Sequence, residues 1–166
     1  MKKNEIEAFA RQTLLDHGMY SIPVDPVVLA NRLGIKVSNA VFSESSLSGM
    51  IAKRDNNVSL LVNSNDLPYR KRFTIAHELG HSLLHLHSDG EFIDTEVDLF
   101  RADNSDNTGK AYLNEIEANQ FAAALLMDAE YVNKYWKEFN SLEKLASIFK
   151  VSESAMGIRL SSLGLI

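Results

Sequence analysis

The chain contains no cysteine. That absence excludes disulfides and thiolate metal sites together, so any metal must be held by His, Asp or Glu. It also has no apolar run approaching the ~18 residues that span a bilayer, and its first residues, MKKNEIEAFARQTLLDHG, lack the apolar stretch and cleavage site of a secretory signal. The expected location is the cytoplasm, with no membrane partner. Positive charge is scarce as well. A formal net charge of -5 and a pI near 5.5 disfavour sequence-independent nucleic-acid binding, which depends on neutralising several phosphates with Lys and Arg. There is no internal repeat and no low-complexity segment, so periodicity and turn residues must carry the reading.

What is present suffices for a globular protein. At 166 residues and 45% hydrophobic content, the chain fits one domain, or a catalytic body with a small appended module. Ile6, Phe9, Ala10, Leu14 and Leu15 form one helical stripe that ends at Gly18. Asp25-Pro26 reads as an N-cap followed by a proline at the first helical position, and Gly34 stops that second, short helix. Residues 35–42, 47–53 and 58–62 read as strands, the last two joined by the turn-like RDNN, which predicts an antiparallel hairpin or meander in a three-stranded sheet. A long helix is expected from Pro68 to about His87. Residues 88–110 are acidic and aperiodic and read as a mobile connection or edge flap. Helical patterns return over 112–127, 128–139, 141–149 and 152–163, the last two joined tightly at Lys150-Val151 with Ser152 as N-cap, as in a helix-turn-helix.

The chemistry sits on the long helix. Four of the five histidines fall in FTIAHELGHSLLHLH, residues 73–87. His77 and His81, four residues apart, share one helix face about one turn apart and can grip a single ion. Glu78 between them can reach a water in an open coordination position, which suits a general base. HELGH thus matches His-Glu-x-x-His, a match whose chance occurrence here is on the order of one per cent. The middle positions, Leu79 and Gly80, carry no charge and permit close inward packing. His85 extends the same face, but three successive turns spread over roughly 12 Å, too far to converge on one ion. His87 lies near the helix end, and His17 reads as a C-terminal capping residue of the first helix.

A catalytic zinc takes three protein ligands plus water, so a third ligand is required. In YLNEIEANQFAAALLMD, if Ala118, Phe121, Ala122 and Leu125 face the core, Glu115 shares their side and Glu117 is turned roughly 200° away. Glu115 is therefore the expected ligand and Glu117 a solvated helix charge. Asn119, one turn on, can hydrogen-bond a ligand imidazole.

RKRFTIAHELGHSLLH together with NEIEANQFAAALLMD resembles the ImmA/IrrE family of metallopeptidases, gluzincin-like enzymes with a later glutamate ligand. The likeness extends to IPVDPVVLANRLGIKV and to LASIFKVSESAMGIRL, nearly the whole chain. It implies Zn2+, with Mn2+ as the other ion to consider, held by His77, His81 and Glu115, and Glu78 activating water. It also implies a substrate class, helix-turn-helix transcriptional repressors, whose cleavage relieves repression of phage, mobile-element or stress genes. There are two departures: LLMD stands where the family usually has a proline after LLM, and the 34 positions from His81 to Glu115 include a polar insert.

The fold expected is α+β and mostly helical: a zincin-like active-site helix on a small three-stranded antiparallel sheet, with a helix-turn-helix-like C-terminal segment. Residues 1–139 would form the metallopeptidase domain, and 140–166 that segment, which also fits within the same compact domain. Arg72, His85, Tyr112 and Tyr131 are the candidates for stabilising the oxyanion or binding substrate, and the residue types do not rank them. The rival reading is a non-proteolytic regulator or antirepressor whose C-terminal helices hold DNA or a repressor, with the metal as a staple. Direct DNA contact is disfavoured because Lys134, Lys137, Lys144, Lys150 and Arg159 only narrowly outnumber Glu138, Glu143 and Glu153.

Overall fold

In the computed structural model, which describes residues 1–44, 46–87, 90–95 and 109–166, the elements run α1 (Lys3–Asp16), α2 (Pro26–Arg32), β1 (Lys36–Ala40), β2 (Leu47–Arg54), β3 (Asn57–Asn63), α3 (Pro68–Leu84), β4 (Gly90–Thr95), α4 (Lys110–Leu126), α5 (Ala129–Phe139), α6 (Leu142–Phe149) and α7 (Glu153–Ser162). The class is α+β and mostly helical, as the periodicity predicts. Local signals act as read: the Asp25 side chain accepts from the backbone N–H of Val27 and Val28 with Pro26 behind it, Ser152 accepts from Ala155 N–H, and His17 is the C-cap of α1, its Nδ1 2.8 Å from Thr13 O. None of the described helices is long and apolar enough to cross a membrane.

The sheet differs from expectation. It has four strands in the order β1-β3-β2-β4. The β2–β3 hairpin is antiparallel and turns at Asp55 and Asn56, both with positive φ (48° and 65°), the left-handed pair of a two-residue turn that Asp and Asn tolerate best. β1, however, pairs with β3 in parallel, Lys36 opposite Ser59. The fourth strand, β4, comes from the acidic stretch read as a connection and pairs antiparallel with β2, with a register shift between Leu47 and Gly49. Only residues 90–95 and 109–110 of that stretch, together with the preceding His87, bear on its structure; the reading of the remainder as a flap lies outside the described residues. The expectation failed because strand pairing is a long-range choice. Alternation reveals a strand's two faces but not its neighbour.

α3 crosses the sheet and is buried from Thr74 through His81. One apolar cluster joins Ile6 and Leu14 of α1, Ile51 and Leu60 of the sheet, Leu79 of α3, Phe121 and Leu125 of α4, and Leu145, Phe149, Met156 and Leu160 of α6 and α7. Three polar fasteners hold the helical layers. Asp128 is the N-cap of α5, accepting from the N–H of Glu130 and Tyr131. It also receives Arg11 Nε at 2.8 Å and the Tyr20 hydroxyl at 3.0 Å. Burial, reinforced by Asp128, pushes the Tyr20 phenol well above its ordinary range. Arg72 donates to Val24 O at 2.6 Å and to Lys150 O at 3.0 Å, tying α3 to the turn before α7. Arg159, 3% exposed, donates through Nε to Met127 O at 2.9 Å and forks onto the Glu7 carboxylate, with Nη2 2.8 Å from Oε2.

Removing Glu7 would strand a buried guanidinium, and breaking such pairs costs several kcal/mol because the remaining charge stays uncompensated. Glu7→Ala is expected to destabilise the protein by about 3 kcal/mol in urea denaturation, and Glu7→Gln by clearly less, since the amide oxygen still accepts. Equal losses for the two variants would remove the electrostatic reading of this contact.

Candidate metal centre

Helical geometry places His77 and His81 on the same side of α3, and α4 packs against that side. The two helices touch without a side chain between them: a Cβ built on Gly80 would lie 3.1 Å from Ala118 Cα and 3.2 Å from Ala118 O. With the backbones this close, Glu115, one turn before Ala118, reaches both imidazoles. Its Oε2 is 3.2 Å from His77 Nε2 and its Oε1 is 3.1 Å from His81 Nε2, while the two Nε2 atoms are 3.0 Å apart. Both histidines are buried and the Glu115 side chain is 31% exposed. The ligand atoms of the three residues lie within 4.8 Å of one another. Around an ion with bonds of about 2.0–2.1 Å, tetrahedral donors sit about 3.3 Å apart, close to the spacing found.

Protonation points the same way. Asn119, the residue expected to support a ligand imidazole, has its Oδ1 2.9 Å from His77 Nδ1. An amide oxygen only accepts, so the His77 proton is on Nδ1 and Nε2 presents its lone pair. Burial lowers the His81 pKa, with His77 adding to the effect and Glu115 opposing it, which keeps the ring neutral. Burial would raise the Glu115 carboxyl, but its close contacts with His77 and His81 outweigh this and hold it down at about 2. Neutral imidazole and carboxylate are the forms that ligate metal. Three converging acceptors therefore share at most one proton, on His81 Nε2, and the set is chemically matched to a cation.

Glu78 is fully buried on the flank of α3 that faces β2, where Gly49 lies beneath its Oε1. His85 terminates α3 as its C-cap and turns toward α4, with Nε2 3.2 Å from Asn114 O and 3.7 Å from Glu117 Oε2. Burial lowers its pKa too. His87 is exposed. Tyr112 lies in the first turn of α4, half-buried. Glu117 is no solvated charge: its side chain is 19% exposed, and it pairs with the Met1 ammonium and faces His85. A helix charge turned from one core face can still meet another element, and α1 packs along that side of α4.

Two oxyanion candidates are engaged elsewhere. Arg72 serves the carbonyls of Val24 and Lys150, and burial lowers its pKa. Tyr131 directs its hydroxyl to Tyr20 O at 3.4 Å and packs its ring on Tyr20 and Tyr135. Phe92, which motif reasoning passed over, stacks on His81 with ring centroids 4.3 Å apart and planes 16° apart. Its signal was the apolar pair in GEFID, too short to stand out among acidic neighbours. Phe92 and His85 also line a cavity of about 400 Å³ with Leu84, Ala111 and Asn114.

Comparison with known proteins gives three results. No curated protein matches the chain in sequence. Among solved structures, a Mycobacterium tuberculosis transcriptional regulator superposes with a TM-score of 0.65 at 18% identity over 95% of this chain, a likeness of fold. This chain spans 46% of that one. The model of the IrrE N-terminal-like peptidase domain matches residues 30–161, which takes in the whole histidine–glutamate cluster and both C-terminal helices, and the chain belongs to that family, the ImmA/IrrE family.

Proposed function

We propose that the protein is a zinc-dependent endopeptidase whose substrate is a helix-turn-helix transcriptional repressor, cleaved to relieve repression. The observation that carries the reading is the convergence of His77, His81 and Glu115 on one point with a buried glutamate, Glu78, on the same helix as the two histidines. A divalent ion bound there supplies a Lewis acid for the scissile carbonyl and makes a water acidic enough to ionise near neutral pH.

The chain's own groups do the rest. His77, His81 and Glu115 hold the ion, and Asn119 fixes the tautomer that keeps His77 Nε2 available. Glu78 accepts a proton from the attacking water as the oxygen bonds to the carbonyl carbon. As the C–N bond breaks, Glu78 returns that proton to the departing amine nitrogen. His85, its ring 5.6 Å from that of His81, and Tyr112, one turn before Glu115 on α4, remain as groups that can meet substrate. The cavity lined by His85 and by Phe92, which stacks on His81, offers a recess that a substrate side chain can enter.

The repressor assignment is supported by family membership. The rival, a regulator that reads DNA through α6 and α7, is poorly supported by the side chains. The outward positions of α7 are Glu153, Ser154, Ile158, Ser161 and Ser162, and its single cation, Arg159, is buried against Glu7. The outward face of α7 therefore carries no cation to neutralise phosphate.

The test is incubation with a helix-turn-helix repressor encoded beside the gene, with and without chelator, followed by intact-mass measurement of fragments. Cleavage is expected only with metal. Glu78→Gln should keep a full equivalent of zinc and lose cleavage by about 10³-fold, within the range for a general base; undiminished cleavage by that variant would defeat the mechanism. Asn119→Ala should weaken zinc binding about 10- to 100-fold in competition with a chromophoric chelator, and unchanged affinity would deny Asn119 its role.

A further inference from the structure

β2 meets α3 at a point where β2 offers no side chain. Gly49 follows the register shift in β2 and pairs with Val62 of β3 and Asp94 of β4. A Cβ built there would lie 2.5 Å from Thr74 Cγ2, 3.1 Å from Glu78 Oε1 and 3.3 Å from Leu61 O. The first distance is impossible without movement, and the second is tighter than ordinary van der Waals contact. Gly49 does not occupy the positive-φ region, so its backbone would accept any L-residue. The requirement is for space alone. Thr74 and Glu78, one turn apart on α3 and both fully buried, rest on the same bare stretch of strand.

We infer that Gly49 is a positioning residue for Glu78: the missing side chain lets the carboxylate settle against β2 at the depth from which it reaches the reacting water. The catalytic consequence rests on the peptidase reading above. A general base works over about 2.6–3.2 Å to the atom whose proton it takes, and misplacement of catalytic groups by about 1 Å costs on the order of 10²-fold in rate. A methyl group at position 49 pushes Glu78 Oε1 by a few tenths of an ångström, away from the strand. The donors of the metal cluster lie on the other flank, toward α4, so their hold on the ion should not change.

Thr74 supplies the control, because Thr74→Ser removes Cγ2 and leaves Glu78 Oε1 at 3.1 Å as the closest contact for a Cβ at position 49, with Leu61 O behind it at 3.3 Å. In the zinc-loaded protein, Gly49→Ala alone should lose both thermal stability and turnover. Gly49→Ala/Thr74→Ser should regain most of the stability, keep zinc affinity and KM for the repressor near those of Thr74→Ser, and stay about tenfold or more slower in kcat. Recovery of kcat along with stability would mean that Gly49 merely makes room for Thr74, and the inference would be overturned. A second measurement needs no activity. In the Thr74→Ser background, Gly49→Ala should leave a residual melting deficit on the order of 2–4 °C, and that deficit should shrink by more than half when Glu78→Ala is added, the rest being the contact with Leu61 O. A deficit that is undiminished without the Glu78 carboxylate overturns the contact. Should the wild type cleave nothing, the peptidase reading fails, and the melting cycle alone still upholds or overturns the positioning of Glu78.

Discussion

Gly80 of α3 rests on the backbone of Ala118 in α4, and the reach of every ligand follows from that contact. Helices with ordinary side chains at their crossing stand about 8–10 Å apart, and a Cβ at position 80 would collide with Ala118 Cα, Ala118 O and the Phe121 ring. At the closer distance, the short arm of Glu115 spans to both imidazoles, and Asn119, beside Ala118, meets the far edge of His77. The outer side of α4 is in turn fixed by α1, through Phe9 against Phe121 and Glu117 beneath the amino terminus. Both ends of the contact are therefore held, so the donor spacing is a property of the core.

Such a core is expensive in electrostatic terms. Two imidazoles and one glutamate withdrawn from water, with a second, Glu115, part-buried beside them, replace what could have been aliphatic packing. Buried ionised groups are tolerated when opposite charge offsets their desolvation. Within the cluster at most one proton is available to three acceptors, so a cation bound there would supply the offsetting charge that the side chains lack. Ion binding and stability are thereby linked: an ion that binds only the assembled donors favours the folded chain. Placement of the donors on two long helices, rather than on loops, keeps their geometry from relaxing when the ion leaves.

The legible parts of the site were those governed by local periodicity. The i, i+4 spacing of His77 and His81 follows from helix geometry, and Glu115 was separable from Glu117 because one shares a face with Ala118 and Phe121. The uncharged Leu79-Gly80 pair already hinted at a close approach. Illegible were contacts set by which elements become neighbours. Nothing in residues 36–40 announces β3 as a parallel partner, and nothing in GEFIDT announces that Phe92 will cover His81. Arg72 and Tyr131 were plausible oxyanion donors by residue type alone. Their donors were taken by the carbonyls of Val24, Lys150 and Tyr20, acceptors that are present at every position and leave no mark in a sequence.

The same blindness explains the helix-turn-helix resemblance of α6 and α7. Capping by Ser141 and Ser152, with left-handed residues at Asn140 and Lys150, defines a tight pair of short helices and says nothing about what its outer face must do. A module that reads DNA must turn cations outward from the second helix, and here the one cation of α7 points inward, forked onto Glu7 and bonded to Met127 O. Leu145, Phe149, Met156 and Leu160 meanwhile fill the core shared with α1 and α4, and Arg72 holds the carbonyl of Lys150 just before the second helix. With its apolar face and the Arg159 guanidinium both committed to the body that carries the histidines, the pair acts as a brace for α3 and α4, and that support by itself accounts for the tight pairing of two short helices.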